Sequence, residues 1–349
     1  MRELEVWFAT FLALDDGLPL VLALWTLHTY LFRVFDATPY LLIWSPVKRC
    51  GKTLLLSLLD LLCARSRMLV NITGPTLFRL VERHRPTLLI DECEALRMSS
   101  HQRVQDLREV ILAGYKPGAK VPRVNGGQVE EYDVFCPKAL CVIREVPEVL
   151  LDRCIPISMR RRKSDELVQR FHRRRLEPVA GLLAKSIQAW AADQAEEVLR
   201  AEEQLVLDDL MNDRDEEVWR PLFSIATVAV PHRLPDLREV ARSLCRQKER
   251  LDAHDALLVR LLTDIRIVIA DEPGNAVWSE SLMGELKALP ESTWGELTAS
   301  RLATMLRPFG IEPSQVWVKG HNRRGYNLDK LREVCERYLG LAAGAEATD

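Results

Sequence analysis

Along the chain, hydrophobic and polar positions alternate with three different rhythms. The first is a set of short apolar runs, at residues 40–44, 68–72, 86–90, 138–143 and 154–159, each bounded by charged or turn-forming residues. Runs of that length and composition predict strands buried on both faces of a parallel sheet. Between them the spacing is helical at 54–63, at 73–81 (Thr73, Pro75, Leu77, Leu80, Val81) and at 99–113. The tract AKVPRVNGGQVEEYDVF alternates around Asn125-Gly126, a strong β-hairpin signal. Residues 18–32 are apolar on all sides and predict a buried helix. They are too few for a membrane span, contain His28 and two threonines, and follow Asp15 and Asp16.

The second rhythm is helical throughout, from 165 to 211, with basic residues first and acidic ones after. Further helices are expected at 213–229, with Trp219, Leu222, Phe223 and Ala226 on one face, and at 236–248 after Pro231 and Pro235. The third rhythm is mixed. Helices at 255–270 and 279–289, and a third opened by Thr298, precede the alternating tract VWVKGHNRRGYNL. Three helices followed by a two-stranded ribbon is winged-helix order. The expected organisation is therefore α/β: a parallel-sheet core over 1–163, a helical lid or bundle over 164–250, a winged-helix unit over 251–340, and a small, polar, disordered tail over 341–349.

The candidate chemistry lies where the first strand ends. Ser45-Pro46-Val47-Lys48-Arg49-Cys50-Gly51-Lys52-Thr53 follows an apolar strand and leads into the apolar helix LLLSLLDLLC. Strand, tight loop, Gly-Lys-Thr and helix is the order a phosphate-binding loop needs, because backbone N–H groups must converge on an anion at a helix N-terminus. These nine residues are the expected nucleotide-binding set of a P-loop NTPase core. Lys52 reaches the terminal phosphates of ATP, and the Thr53 hydroxyl holds Mg²⁺. Pro46 stands where the pattern ordinarily has glycine, so ring geometry must fix the loop entrance.

The run TLLIDE ends in Asp91 and Glu92. Acids at the carboxyl end of a buried parallel strand sit in the crevice where open α/β sheets bind ligands. Asp91 is the expected second metal residue beside Thr53, and Glu92 the group that orients or activates water. Arg153, in LLDRC, is the candidate catalytic arginine offered across a subunit interface to a neighbour's γ-phosphate, with Arg144 and Arg160 behind it. In the C-terminal unit, Arg301, Thr304 and Arg307 are expected on the outer face of the third helix, opposite Leu302, Met305 and Leu306. The ribbon tip from Lys319 to Arg324, with Arg323, concentrates cations suited to DNA phosphates.

Composition adds limits. The 349 residues carry a net charge of −2, so a polyanionic partner must be met by a local surface. Eight cysteines show no C-x-x-C pair and no zinc spacing, and several lie in apolar runs, which fits reduced thiols of a cytoplasmic protein. The acidic start MRELEVWF lacks the basic character of a secretory signal.

With these pieces in place, the chain resembles the P-loop ATPases of phages, plasmids and integrated elements that carry an uncharacterised conserved C-terminal region. The resemblance rests on SPVKRCGKT, TLLIDE, the run at 118–124, LLDRCIPISMRRR, VWRPL and LRPFGI…RRGYNL, and extends from about Trp25 to Tyr338. It implies an AAA+-type or superfamily-three-like motor core, helicase-like, acting on single-stranded or forked DNA in mobile-element replication. It also implies a homo-oligomer, a hexamer, with the 125–126 hairpin in the central channel. That hairpin tip has no lysine, so Lys120 and Arg123 on its arm would contact phosphates. The polar sensor such enzymes place at the end of the fourth core strand is here Ile143-Arg144. The alternative is a nucleotide-gated DNA-binding adaptor or loader, in transposition, partition or initiation, that unwinds nothing.

Overall fold

A computed structural model describes residues 1–45, 47–69, 74–91, 93, 102–125, 127–143, 151–163, 165–207, 212–270, 272–290, 292–318 and 320–339. The chain forms two compact units, 1–251 and 252–349.

The first unit begins with α1 (Arg2–Phe11) and α2 (Leu18–Leu31). Helix α2 is buried along almost its whole length, as its uniform apolarity predicts, and Trp25 Nε1 donates to the Pro39 carbonyl at 2.8 Å. Among the described residues no helix is long and apolar enough to cross a membrane.

The sheet is built from β1 (Tyr40–Ser45), β2 (Arg67–Leu69), β3 (Leu88–Ile90), β6 (Lys138–Ile143) and β7 (Cys154–Ser158). All five run parallel in the order β2-β3-β6-β1-β7. The loop-bearing strand β1 is therefore interior, between β6 and the edge strand β7, and β6 separates it from the acid-bearing strand β3. Helices α3 (Lys52–Leu62), α4 (Gly74–His84) and α5 (Gln102–Ala113) connect the early strands. An antiparallel hairpin, β4 (Lys120–Asn125) with β5 (Gln128–Asp133), is inserted before β6.

Lys138 ties that hairpin's base to the sheet. It is fully buried, and its Nζ donates to the Cys136 carbonyl at 2.9 Å, the Tyr40 hydroxyl at 3.1 Å, and the Gly114 and Val134 carbonyls. Burial lowers its pKa, and the ring of carbonyls compensates part of the desolvation. All eight cysteines are free and buried; burial pushes the Cys154 and Cys245 thiols up to about 12.

After the sheet, the expected helix over 165–211 is shorter. Helix α6 spans Arg173–Gln204, because the preceding residues are held in a non-helical path. The Glu166 carboxylate accepts from the Lys163 backbone N–H and from Arg160, and Gln169 N–H donates to the Thr10 carbonyl at 2.8 Å. Helix α7 (Asp213–Ala229) is capped by Asn212, whose side chain accepts from Asp215 N–H at 2.9 Å, and it buries Trp219, Leu222, Phe223 and Ala226. The helices expected at 236–248 and 255–270 are one element, α8 (Leu234–Val268). Nothing between them breaks a helix, since the linking ERLDAH has neither glycine nor proline.

In the second unit, β8 (Ala276–Trp278), α9 (Ser279–Ala288), α10 (Ala299–Leu306), β9 (Ser314–Val318), β10 (His321–Asn327) and α11 (Leu328–Leu339) enclose their own core of Leu261, Leu282, Leu302, Leu306, Tyr326 and Leu331. Thr298 caps α10, its hydroxyl accepting from Arg301 N–H at 3.2 Å. The ribbon β9–β10 is joined by β8, giving an antiparallel sheet of order β8-β10-β9. At Gly325, opposite Trp278, a Cβ would lie 2.2 Å from the Val277 carbonyl oxygen, so only glycine lets β8 approach.

Candidate nucleotide site

Strand β1 ends at Ser45, and α3 begins seven residues later at Lys52. The turn between them contains two residues in the left-handed region, Arg49 (φ +66°) and Gly51 (φ +86°). Glycine adopts that conformation freely, whereas arginine does so at a cost of about 1–3 kcal/mol that the surrounding loop must offset. Such a turn directs successive backbone N–H groups towards one side. Helix α3 has no side-chain cap, so the N–H groups of Lys52, Thr53 and Leu54 leave its N-terminus without intrahelical acceptors. The helix dipole adds partial positive charge at the same point.

Lys52 is 7% exposed, and its Nζ donates to the Ser45 hydroxyl at 2.5 Å. Ser45 in turn donates to the Val47 carbonyl at 2.7 Å. Among the described residues no carboxylate forms an ion pair with Lys52. A buried ammonium held by a hydroxyl is costly unless an anion joins it, and phosphate oxygens are suitable partners. Within the loop the Cys50 thiol donates to the Val47 carbonyl at 3.2 Å.

On the other side of the helix start, the Thr53 hydroxyl donates to Asp91 Oδ2 at 2.9 Å. Asp91 directly follows β3, so sheet order brings it to the mouth of the loop. One hydroxyl and one carboxylate suit Mg²⁺, which keeps several waters and takes few protein ligands when phosphates supply the rest. Clusters of three or more His, Cys, Asp or Glu side chains are absent among the described residues. Glu92, Pro46 and Arg144 lie outside the described residues.

A further cation at the loop is absent from the motif. Arg161 donates through Nε (3.3 Å) and a terminal nitrogen (3.2 Å) to the Lys48 carbonyl. It stands three residues beyond β7, which pairs with β1 and delivers the following segment to the loop's edge; Met159 N–H donates to the Trp44 carbonyl at 2.7 Å. The tract RRRK marks a cationic segment, but only the β1–β7 register selects Arg161. Its neighbour Arg160 is engaged by Asp15 (3.0 Å) and Glu166 (2.6 Å).

Arg153 is placed differently. It precedes Cys154, the register partner of Tyr40, and so occupies the amino-terminal edge of the sheet. The loop occupies the opposite edge, about 16 Å away along β1 at about 3.3 Å per residue. Its guanidinium lies 5.9 Å from the Tyr115 ring. Within one chain it is remote from Lys52.

The proposed DNA-contacting residues fall in two groups. On the hairpin, Lys120 pairs with Glu131 at 3.2 Å. Arg123 donates to Asp106 at 3.0 Å and to Glu109, and lies over the Phe78 ring at 4.3 Å. In the second unit, Arg301, Arg307 and Arg324 are exposed, and Arg323 lies over Trp278 at 4.8 Å and 3.5 Å from Glu280. Lys319 lies outside the described residues.

A family model described as "Protein of unknown function (DUF3631)" matches residues 158–338, just over half of the 349. A protein of Saccharopolyspora erythraea, "Uncharacterized 28.9 kDa protein in xis 5'region", is 28% identical over 186 residues, which is 52% of this chain and 68% of that protein. Among solved structures, the SCCmec type IV Cch active helicase is similar at 10% identity, with 94% of this chain and 70% of that chain covered and a TM-score of 0.39. The apo NrS-1 C-terminal region (305–718) is similar at 14% identity, with 93% and 74% covered and a TM-score of 0.35.

Proposed function

The chain belongs to the DUF3631 family, and we propose that it is an ATP-hydrolysing, Mg²⁺-dependent protein that acts on DNA as an oligomeric, helicase-like motor of a mobile element. The observation that carries this reading is the convergence of Lys52 on Ser45 and of Thr53 on Asp91 at the mouth of one loop. The matched family region begins at 158, beyond the loop, so the nucleotide reading depends on the geometry of β1, α3 and β3.

In this reading Lys52 and the first-turn N–H groups of α3 bind the β- and γ-phosphates of ATP, and Lys52 gives up Ser45 for a phosphate oxygen. Thr53 and Asp91 would hold Mg²⁺, and the metal would supply charge neutralisation at the transferring phosphoryl group. Glu92, one residue beyond Asp91, orients the attacking water. Arg161 holds the loop from its outer side. Arg153, remote from its own loop, acts on a neighbouring copy's nucleotide, which requires an oligomer such as a hexamer. The basic surface of the second unit, with winged-helix order, supplies DNA contact through Arg301, Arg307, Arg323 and Arg324.

The test of the whole reading is ATP turnover by the purified chain with Mg²⁺, with and without single-stranded DNA. Stimulated turnover with opening of a forked duplex supports the motor. Stimulated turnover without opening favours the adaptor or loader, for which the engaged state of Arg123 is the specific observation. Turnover that is absent under both conditions removes the ATPase claim.

A further inference from the structure

All eight tryptophans of the chain are described, and Trp317 alone is exposed, at 69%. It lies on β9 opposite Asn322 of β10, and two positions away Gln315 lies opposite Arg324. Directly paired residues of an antiparallel ribbon project from one face, and so do residues two apart on a strand. Trp317, Gln315, Asn322 and Arg324 therefore share a face. Gln315, Asn322 and Arg324 also line a cleft of about 660 Å³ between the ribbon and α10. Arginines 307, 323 and 324 line the same cleft against a single carboxylate, Glu280.

An indole left 69% exposed keeps apolar surface in water, and on the ribbon face that carries Gln315, Asn322 and Arg324 it offers a flat stacking surface beside cationic side chains. The cleft's charge calls for an anionic occupant. A flat aromatic surface on the ribbon face whose Gln315, Asn322 and Arg324 line an arginine-bearing groove matches single-stranded nucleic acid, whose phosphates follow the charge while an exposed base stacks on the ring. In a duplex the base faces are covered by their neighbours, so the ring would meet only sugar and phosphate. An acidic peptide would satisfy the arginines and leave the indole uncovered.

We propose that Trp317 is a base-stacking platform and that the adjoining cleft carries the phosphates of a single-stranded DNA segment. This inference rests on the reading of the chain as DNA-acting and names the form of DNA that the second unit takes.

The test uses the full chain, without nucleotide, and a fluorescent oligothymidylate of about 15 nucleotides. A blunt duplex of the same length and a polyglutamate peptide serve as competitors. Trp317→Ala is expected to weaken binding of the single strand about 5- to 150-fold, the range of one base stack, while Trp317→Phe retains most of the affinity. Arg324→Gln is expected to reduce the salt slope by about 0.7. Three results would overturn the proposal: equal affinity of the wild type and Trp317→Ala, equal losses on single strand and duplex, or stronger competition by polyglutamate than by the oligonucleotide. If the wild type binds no DNA of any kind, the DNA-acting reading falls with it. If it binds and Trp317 has no influence, only this inference falls.

Discussion

Thr53 and Asp91 are 38 positions apart in the chain and 2.9 Å apart in space, hydroxyl to carboxylate, at the mouth of the loop that follows β1. Parallel strands place both residues at the carboxyl edge of one sheet, although β6 lies between their strands. The two residues are expected to act as one unit. Thr53→Ala and Asp91→Asn should each weaken Mg²⁺-supported ATP binding by about tenfold or more, and the double variant should be little worse than either alone. A double-mutant cycle by calorimetry checks this; full additivity would show that the pair does not share a metal.

Arg161 predicts a milder phenotype. It braces the loop through one carbonyl and is itself accessible, so its loss should leave the fold intact and loosen the loop. Arg161→Ala should raise the ATP dissociation constant several-fold with unfolding midpoints unchanged within about 1 °C. Equal ATP affinity in the two proteins would remove Arg161 from the site.

His28 gives a pH signature. It is buried in α2, hydrogen-bonded to Thr38 at 2.9 Å and packed 5.4 Å from the Phe35 ring, and burial lowers its pKa from 6.5 to about 3. The fold therefore favours the neutral ring, while the unfolded chain takes up a proton near pH 6.5. The contribution is complete above pH 6.5 and is lost progressively as pH falls towards 3. Between pH 6.5 and 5 that loss is about 2 kcal/mol. Denaturant unfolding of His28→Gln, which cannot titrate, should show a correspondingly smaller decline over the same interval.

Gly325 predicts a local packing defect. A methyl group there meets the Val277 carbonyl and forces β8 away from β10. Gly325→Ala should destabilise the second unit by about 1–3 kcal/mol. Hydrogen exchange should report faster opening at 276–278 and 325–327 and unchanged protection in β1 and β6.

The loop, helix start and acids of the proposed nucleotide site stand out in the chain because their signals are local. Strand, turn, Gly-Lys-Thr and helix are contiguous, and the acids at 91–92 close an apolar run. Features fixed by distant partners could not be read this way. Arg161 stands out from its basic neighbours only through the pairing of β7 with β1. Arg123 looks available for phosphate in the linear chain, yet in the fold it meets Asp106, Glu109 and Phe78. Strand β8 has three residues, too few for an alternating pattern to register. The helical period extends over 165–172, but Glu166 and Gln169 take partners that hold the backbone off the helix. The helices expected at 236–248 and 255–270 form one element, because no residue between them breaks the helix.

The proposed ATPase depends on a triphosphate held at Lys52. Calorimetric titration of ATP into the full chain, with Mg²⁺ and then with the metal chelated, measures this directly. The expected result is one ATP per chain, dependent on Mg²⁺, with at least about tenfold weaker binding in Lys52→Ala. Absence of ATP binding by the folded wild type, or equal affinity in Lys52→Ala, would contradict it.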